Sequence, residues 1–251
     1  RAFVQPVVAR ENEGEVFVAW PTDRGILFVG KLDRRSDQSF TLKYQLQTEA
    51  GIAAAPAYLP PDPDDAATSG ILFVASRDGV VHALREKNGT LRWRFPTNEP
   101  LIESPVVLEG HVYVTTQPGG MYSLDATTGA EQWWTPEATQ FVAASNARVY
   151  ATDKVGRLLI LDRKTGGRLD SMNLVHNPIK VCNTRTDRIY LATETGLIQS
   201  LHEIELSDPL QHSGRAAPEE EAPADDRQPG EPQQDDPPGD ADRPRGPLRD
   251  P

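Results

Sequence analysis

Short apolar runs punctuate the first four-fifths of the chain, and five of them share one pattern. In Val16-Phe17-Val18-Ala19, Leu72-Phe73-Val74-Ala75, Val112-Tyr113-Val114-Thr115, Val149-Tyr150-Ala151-Thr152 and Ile189-Tyr190-Leu191-Ala192, an aromatic ring sits between two aliphatics and is followed by Ala or Thr. Such runs, bounded by polar and glycine-containing segments, predict β-strands. Once two polar insertions, Asp33 to Ser39 and Pro60 to Ser69, are set aside, the spacing is roughly 40 residues, the length of one four-stranded propeller blade.

The flanks of these strands repeat as well. Downstream come turns ending at Gly25, Gly79, Gly120, Gly156 and Gly196, each leading into another apolar strand, which predicts a hairpin. Leu84, Leu124, Leu161 and Leu201 stand in one column of this third strand. Three of them open a polar loop: Arg85 to Gly89, Asp125-Ala126-Thr127-Thr128-Gly129 and Asp162-Arg163-Lys164-Thr165-Gly166. The closing glycine suits a left-handed residue, and the opening Asp can bind its own backbone two residues on. Four residues past the glycine stand Trp93 and Trp133, but Asp170 in the third copy. A large ring at a fixed place on an outer strand is expected to fill the wedge between blades, and its loss at Asp170 to weaken one seam. Upstream of the aromatic strand lie Pro6, Pro56, Pro105 or Pro178, acceptable at the start of an innermost strand.

The predicted fold is therefore all-β: a β-propeller of four-stranded antiparallel blades, about five of them, over residues 1–204. The phase of the repeat starts on an inner strand and stops after a third one, so the expectation is a larger ring with further blades before Arg1. Residues 205–251 are expected to be a disordered, acidic, Pro-rich tail. From Gly214 to Pro251 there are 9 Pro and 11 Asp or Glu, with one Leu and no aromatic residue, too little apolar surface to offset the entropy of ordering. The whole chain has a formal charge of -11, which argues against a nucleic-acid partner. No apolar run approaches the roughly 20 residues of a membrane-spanning helix.

The stretch Ser123 to Trp133, with Ala83 to Trp93 as a second copy and Ile160 to Asp170 as a partial one, resembles the pyrroloquinoline-quinone-like repeat: Leu-Asp, two variable residues, Thr-Gly, three variable residues, Trp. The repeat-defining residues are Gly89, Trp93, Asp125, Thr128, Gly129, Trp133, Asp162, Thr165 and Gly166. The resemblance covers roughly residues 2 to 204 and implies a β-propeller. It also implies one of several uses: a dehydrogenase holding pyrroloquinoline quinone and calcium, a sensor domain, or a non-catalytic propeller similar to the assembly lipoprotein of the outer-membrane BAM complex. The last is the leading expectation, with export to the periplasm or cell envelope and other proteins as partners.

Site chemistry is sparse. The quinone branch implies a vicinal cysteine pair, and Cys182 is the sole cysteine. His82, His111, His176, His202 and His212 show no metal-ligand spacing. No catalytic, cofactor-binding or metal-binding residue is therefore assigned. Asn88-Gly89-Thr90 reads as a hairpin turn before it reads as a glycosylation sequon. The acidic insertion Pro60 to Asp65 reads as a solvated loop. In Trp133-Trp134, strand alternation sends one ring into the seam and the other outward, which makes Trp134 the candidate contact residue.

Overall fold

The computed structural model describes residues 4–10, 16–32, 40–61, 69–174 and 179–212. These all belong to one compact unit, Arg1–Ala217; a second unit, Pro218–Pro251, lies outside the described residues, as do His176, Pro178 and most of the acidic insertion.

Five antiparallel sheets follow one another along the chain. Blade 1 holds β1 (Val7–Arg10), β2 (Val16–Pro21), β3 (Ile26–Leu32) and β4 (Phe40–Gln47); blade 2 holds β5 (Ala57–Leu59), β6 (Ile71–Ala75), β7 (Val80–Arg85) and β8 (Leu91–Pro96). Blade 3 holds β9 (Val106–Leu108), β10 (His111–Thr115), β11 (Gly120–Asp125) and β12 (Glu131–Pro136). Blade 4 holds β13 (Ala138–Ala144), β14 (Arg148–Asp153), β15 (Leu158–Asp162) and β16 (Arg168–Met172), and blade 5 holds β17 (Ile179–Val181), β18 (Ile189–Ala192) and β19 (Ile198–Leu201). In every sheet the strand order is the chain order, the meander of a propeller blade. Blade 5 has three strands among the described residues.

The core is distributed over the seams rather than centred in the sheets. One cluster joins Phe17, Leu27 and Val29 of blade 1 to Leu72, Val74 and Leu84 of blade 2, and a second joins Phe73, Val81, Ala83 and Trp93 to Val112, Val114 and Leu124 of blade 3. A third joins Tyr113, Met121 and Trp133 to Phe141, Val149, Leu159 and Leu161 of blade 4; a fourth joins Val142, Tyr150 and Leu158 to Ile189 and Leu191 of blade 5. Blade-on-blade stacking buries both faces of β6, β10 and β14 almost without interruption. This is why the aromatic strands carry unbroken apolar runs. Blades 1 and 5 leave apolar side chains uncovered: Val8 and Leu42 on blade 1, and Ile179, Val181 and Ile198 on blade 5, stay exposed.

Two sequence expectations change in detail. The turn before β11 is closed by Gly119, at φ 99°, and Gly120 already begins the strand. The boundary at residue 204 moves as well, because residues 205–212 are held against the blades rather than belonging to a free tail: Arg188 donates to the carbonyls of Leu206 and Ser207, and Leu210 N–H donates to Asp187. Backbone groups with such partners gain from being ordered, whatever the side-chain composition nearby.

Candidate functional site

The repeat residues converge on the seams. Asp125 Oδ1 accepts from Thr127 N (3.0 Å), Thr128 N (2.6 Å) and Thr128 Oγ1 (2.8 Å). Asp162 Oδ1 does the same for Lys164 N (3.0 Å), Thr165 N (2.8 Å) and Thr165 Oγ1 (2.9 Å), which holds its carboxyl below the ordinary range. Gly129 and Gly166 close these turns at φ 74° and 69°, a region where Cβ is strained. Their second constraint comes from the preceding blade. A Cβ on Gly129 would lie 2.5 Å from the Trp93 ring, and one on Gly166 2.5 Å from the Trp133 ring.

Each ring is also fastened by its polar edge. Trp93 Nε1 donates to the Ala126 carbonyl at 3.1 Å and Trp133 Nε1 to the Arg163 carbonyl at 2.8 Å. In blade 1 the same seat is taken by Tyr44, whose ring lies over Gly89 and whose hydroxyl donates to the Glu86 carbonyl at 2.8 Å. Burial, then the Glu86 charge, push the Tyr44 hydroxyl pKa up, so it remains a donor. In blades 1 to 4 a bulge in the outer hairpin, at Gly30, Leu84, Leu124 and Leu161, precedes the position that carries Tyr44, Trp93, Trp133 or Asp170 and re-aims the outer strand. At Asp170 there is no ring; the corresponding carbonyl of blade 5, Glu203, is instead 2.8 Å from His202 Nδ1. Glu203 is anchored by Tyr150 Oη at 2.8 Å and by an ion pair with Arg148. Asn88 sits in an exposed turn and accepts from Thr90 N at 3.0 Å.

The surface above the blade 3–blade 4 seam is different in kind. Trp133 is 5 % exposed, while its neighbour Trp134 is 48 % exposed. Trp134 ends an aromatic row, 6.3 Å from Tyr122, which lies 5.4 Å from Phe95. A cleft opens on either side of it. One, of about 390 Å³, runs to Leu159, Gly167 and Arg168; the other, of about 400 Å³, runs to Pro118, Lys154, Val155 and Arg157. Pro136 and Glu137 border both. Burial pushes the Asp153 carboxyl up, but the Arg157 guanidinium (2.6 Å) and the Val155 and Arg157 amides outweigh it and leave its pKa lowered. The cleft floor is thus a fixed ion pair, with Val155 standing out beside Trp134.

Among the described residues the histidines do not assemble. His82 and His111 lie in separate blades, and burial first of all lowers the pKa of each. Among the described residues no group of three or more His, Cys, Asp or Glu side chains comes together as a cation site, and no helix is long and apolar enough to cross a membrane. His212 meets Glu109 over a separation of 103 residues, a contact with no local signal.

Aromatic-on-glycine latches repeated between successive four-stranded meanders define a β-propeller of the pyrroloquinoline-quinone-like repeat class. Within that class, the chain belongs to the family described as outer membrane protein assembly factor BamB, which matches residues 45–193. A protein of that name from Legionella pneumophila (strain Paris) is 25% identical over 178 residues, covering 68% of this chain and 46% of the relative. Another, from Kangiella koreensis, is 27% identical over 112 residues, covering 40% and 29%. The chain thus spans less than half the length of either relative. Among solved structures, BamB from Moraxella catarrhalis superposes with a TM-score of 0.56 at 17% identity, over 83% of this chain and 63% of that one. The computationally designed Ika8 protein gives 0.55 at 14%, over 74% and 55%. At these identities the structures show the shared fold alone.

Proposed function

We propose that this chain is part of a non-catalytic binding platform of the cell envelope, acting with other proteins in outer-membrane protein assembly. Membership of the assembly-factor family supports the setting. The observation that carries the reading is Trp134: a half-exposed indole between two clefts, above a seam locked by Trp133 and Gly166. A tryptophan presented at the edge of preformed clefts is the kind of residue that dominates protein–protein binding energy, and a rigid frame beneath it lowers the ordering cost of association. The partner contact is assigned to the rim formed by Trp134, Pro136, Val155 and Arg168. In this reading the platform works without quinone or calcium; within this chain the single Cys182 does not supply the vicinal pair that the quinone branch implies.

A photo-crosslinking residue at position 134, in the protein expressed in its own envelope, tests this. Crosslinks to other outer-membrane assembly proteins, lost on Val155→Asp, are expected. Crosslinks absent at 134 but abundant on the exposed strand residues of blade 2 would move the contact surface elsewhere. Added quinone with calcium is expected to leave Tm unchanged, and a saturable rise would restore the enzyme reading.

A further inference from the structure

The recess beside Trp134 holds two polar groups that the fold leaves unused. Gly120 opens β11 next to the indole edge: a Cβ there would lie 2.8 Å from Trp134 Nε1 and 3.4 Å from Thr116 Oγ1. Unlike Gly119, Gly120 is not in the left-handed region, so what the glycine provides is room for that edge. Thr116 is 2 % exposed, and its hydroxyl has no hydrogen-bond partner. Among the described residues the Trp134 N–H has none either, whereas the Trp93 and Trp133 indoles both donate to carbonyls. Unpaired polar groups in such positions are rare in native proteins, and two of them beside one recess leave a place for an acceptor from outside.

The apolar walls are stepped. Phe95, Tyr122 and Trp134 form a row with ring centroids 5.4 and 6.3 Å apart, close to the about 6 Å that two residues of a polyproline II segment cover. Pro118, Pro136 and Val155 line the clefts that flank Trp134. Charge divides the two ends of the row. Glu131 and Glu99 act on Tyr122. At the Trp134 end, Arg157 is neutralised by Asp153 (2.6 Å) and Arg168 lies 3.5 Å from Glu137, but Lys154 has no ion-pair partner among the described residues.

We propose that the row from Phe95 to Trp134 binds a proline-rich, extended segment of a partner protein that carries a carboxylate at its Lys154 end. The inference rests on Trp134 being the partner contact and adds the chemistry of what it holds. A polyproline II segment has no internal hydrogen bonds, so its carbonyls are free to accept from the Trp134 N–H, and from the Thr116 hydroxyl through a bridging water. Its rings pack on aromatic side chains, and its preformed backbone lowers the ordering cost. Two other docking modes fit less well. Strand addition needs the free backbone edge of β12, which ends at Pro136, without an N–H, followed by Glu137 at φ 71°. A helix, about 10 to 12 Å across, needs one broad groove, whereas Trp134 divides this surface into two clefts.

The test is NMR titration of the full chain, with the indole N–H signals of its four tryptophans as reporters. Trp93 and Trp133 are already bonded inside the seams and serve as internal references. The probes are capped peptides of eight prolines with one glutamate, placed at either end. The Trp134 signal is expected to move saturably while those of Trp93 and Trp133 stay in place. The two peptides are expected to differ about two- to fivefold in affinity, and Lys154→Gln to abolish that difference. Trp134→Phe, which keeps a ring but removes the N–H, is expected to weaken binding about fivefold, followed at the Gly119 amide. A proline-free peptide of serine and alanine with the same length and charge that moves Trp134 equally well overturns the proposal, as do proline peptides that leave it unmoved at millimolar concentration. Photo-crosslinking at position 134 separates the two readings. Crosslinks to assembly proteins without peptide binding remove the proline-rich ligand and keep the platform; peptide binding without crosslinks supports the ligand and removes the platform contact.

Discussion

Removing the Trp133 ring tests the seam most directly. The indole is nearly buried, lies over Gly166, touches Tyr113 at a centroid distance of 5.9 Å and donates 2.8 Å to the Arg163 carbonyl. Trp133→Ala empties that wedge and is expected to cost about 3 to 5 kcal/mol, the range for truncating a buried large aromatic. Trp133→Phe keeps most of the ring body but leaves a buried carbonyl without its donor, for about 1 to 3 kcal/mol. Asp170→Trp, at the same position one blade on, is expected to change stability by less than about 0.5 kcal/mol, because blade 5 offers no Thr-Gly turn beneath it. Urea unfolding followed by far-ultraviolet circular dichroism reads all three, with the slope checked because blades can melt separately. A cost below about 1 kcal/mol for the alanine variant, or equal costs for alanine and phenylalanine, would refute the latch.

Gly129→Ala and Gly196→Ala separate two reasons for a glycine. Both sit at positive φ, but only Gly129 has a ring within 2.5 Å of the added Cβ, while Gly196 has nothing within 4 Å. The expected losses in equilibrium unfolding are about 2 to 4 kcal/mol and about 1 kcal/mol respectively. Tyr44→Phe, removing the donor to the Glu86 carbonyl, is expected to lower stability by about 1 kcal/mol in the same assay. Glu109 has a folded-state pKa of about 2 against 4.5 unperturbed. Its contribution is therefore present above the unfolded value and lost as pH falls through the interval between the two. Glu109→Gln is expected to remove on the order of 1 to 2 kcal/mol from the acid limb of the stability profile; an unaltered limb would show that the carboxylate is not carrying charge into the fold.

What the sequence by itself determined is local and repeated. Strand alternation, the Asp-to-Thr hydrogen bonds of the turn and the left-handed glycine depend on residues within a few positions of one another, so Asp125 to Gly129 and Asp162 to Gly166 could be read without a fold. The outward direction of Trp134 followed from the same period-two geometry. Other features needed the stacking of blades. Tyr44 takes the tryptophan seat in blade 1, yet the polar insertion before β4 hides its spacing from the repeat. Gly166 is constrained by a ring one blade earlier in the chain as well as by its own turn. His212 was one of several scattered histidines until the fold brought it to Glu109, 103 residues away. Turn chemistry is decided by a few adjacent dihedrals, whereas a seam is decided by which surfaces the whole meander brings face to face, and only the tertiary structure contains that choice.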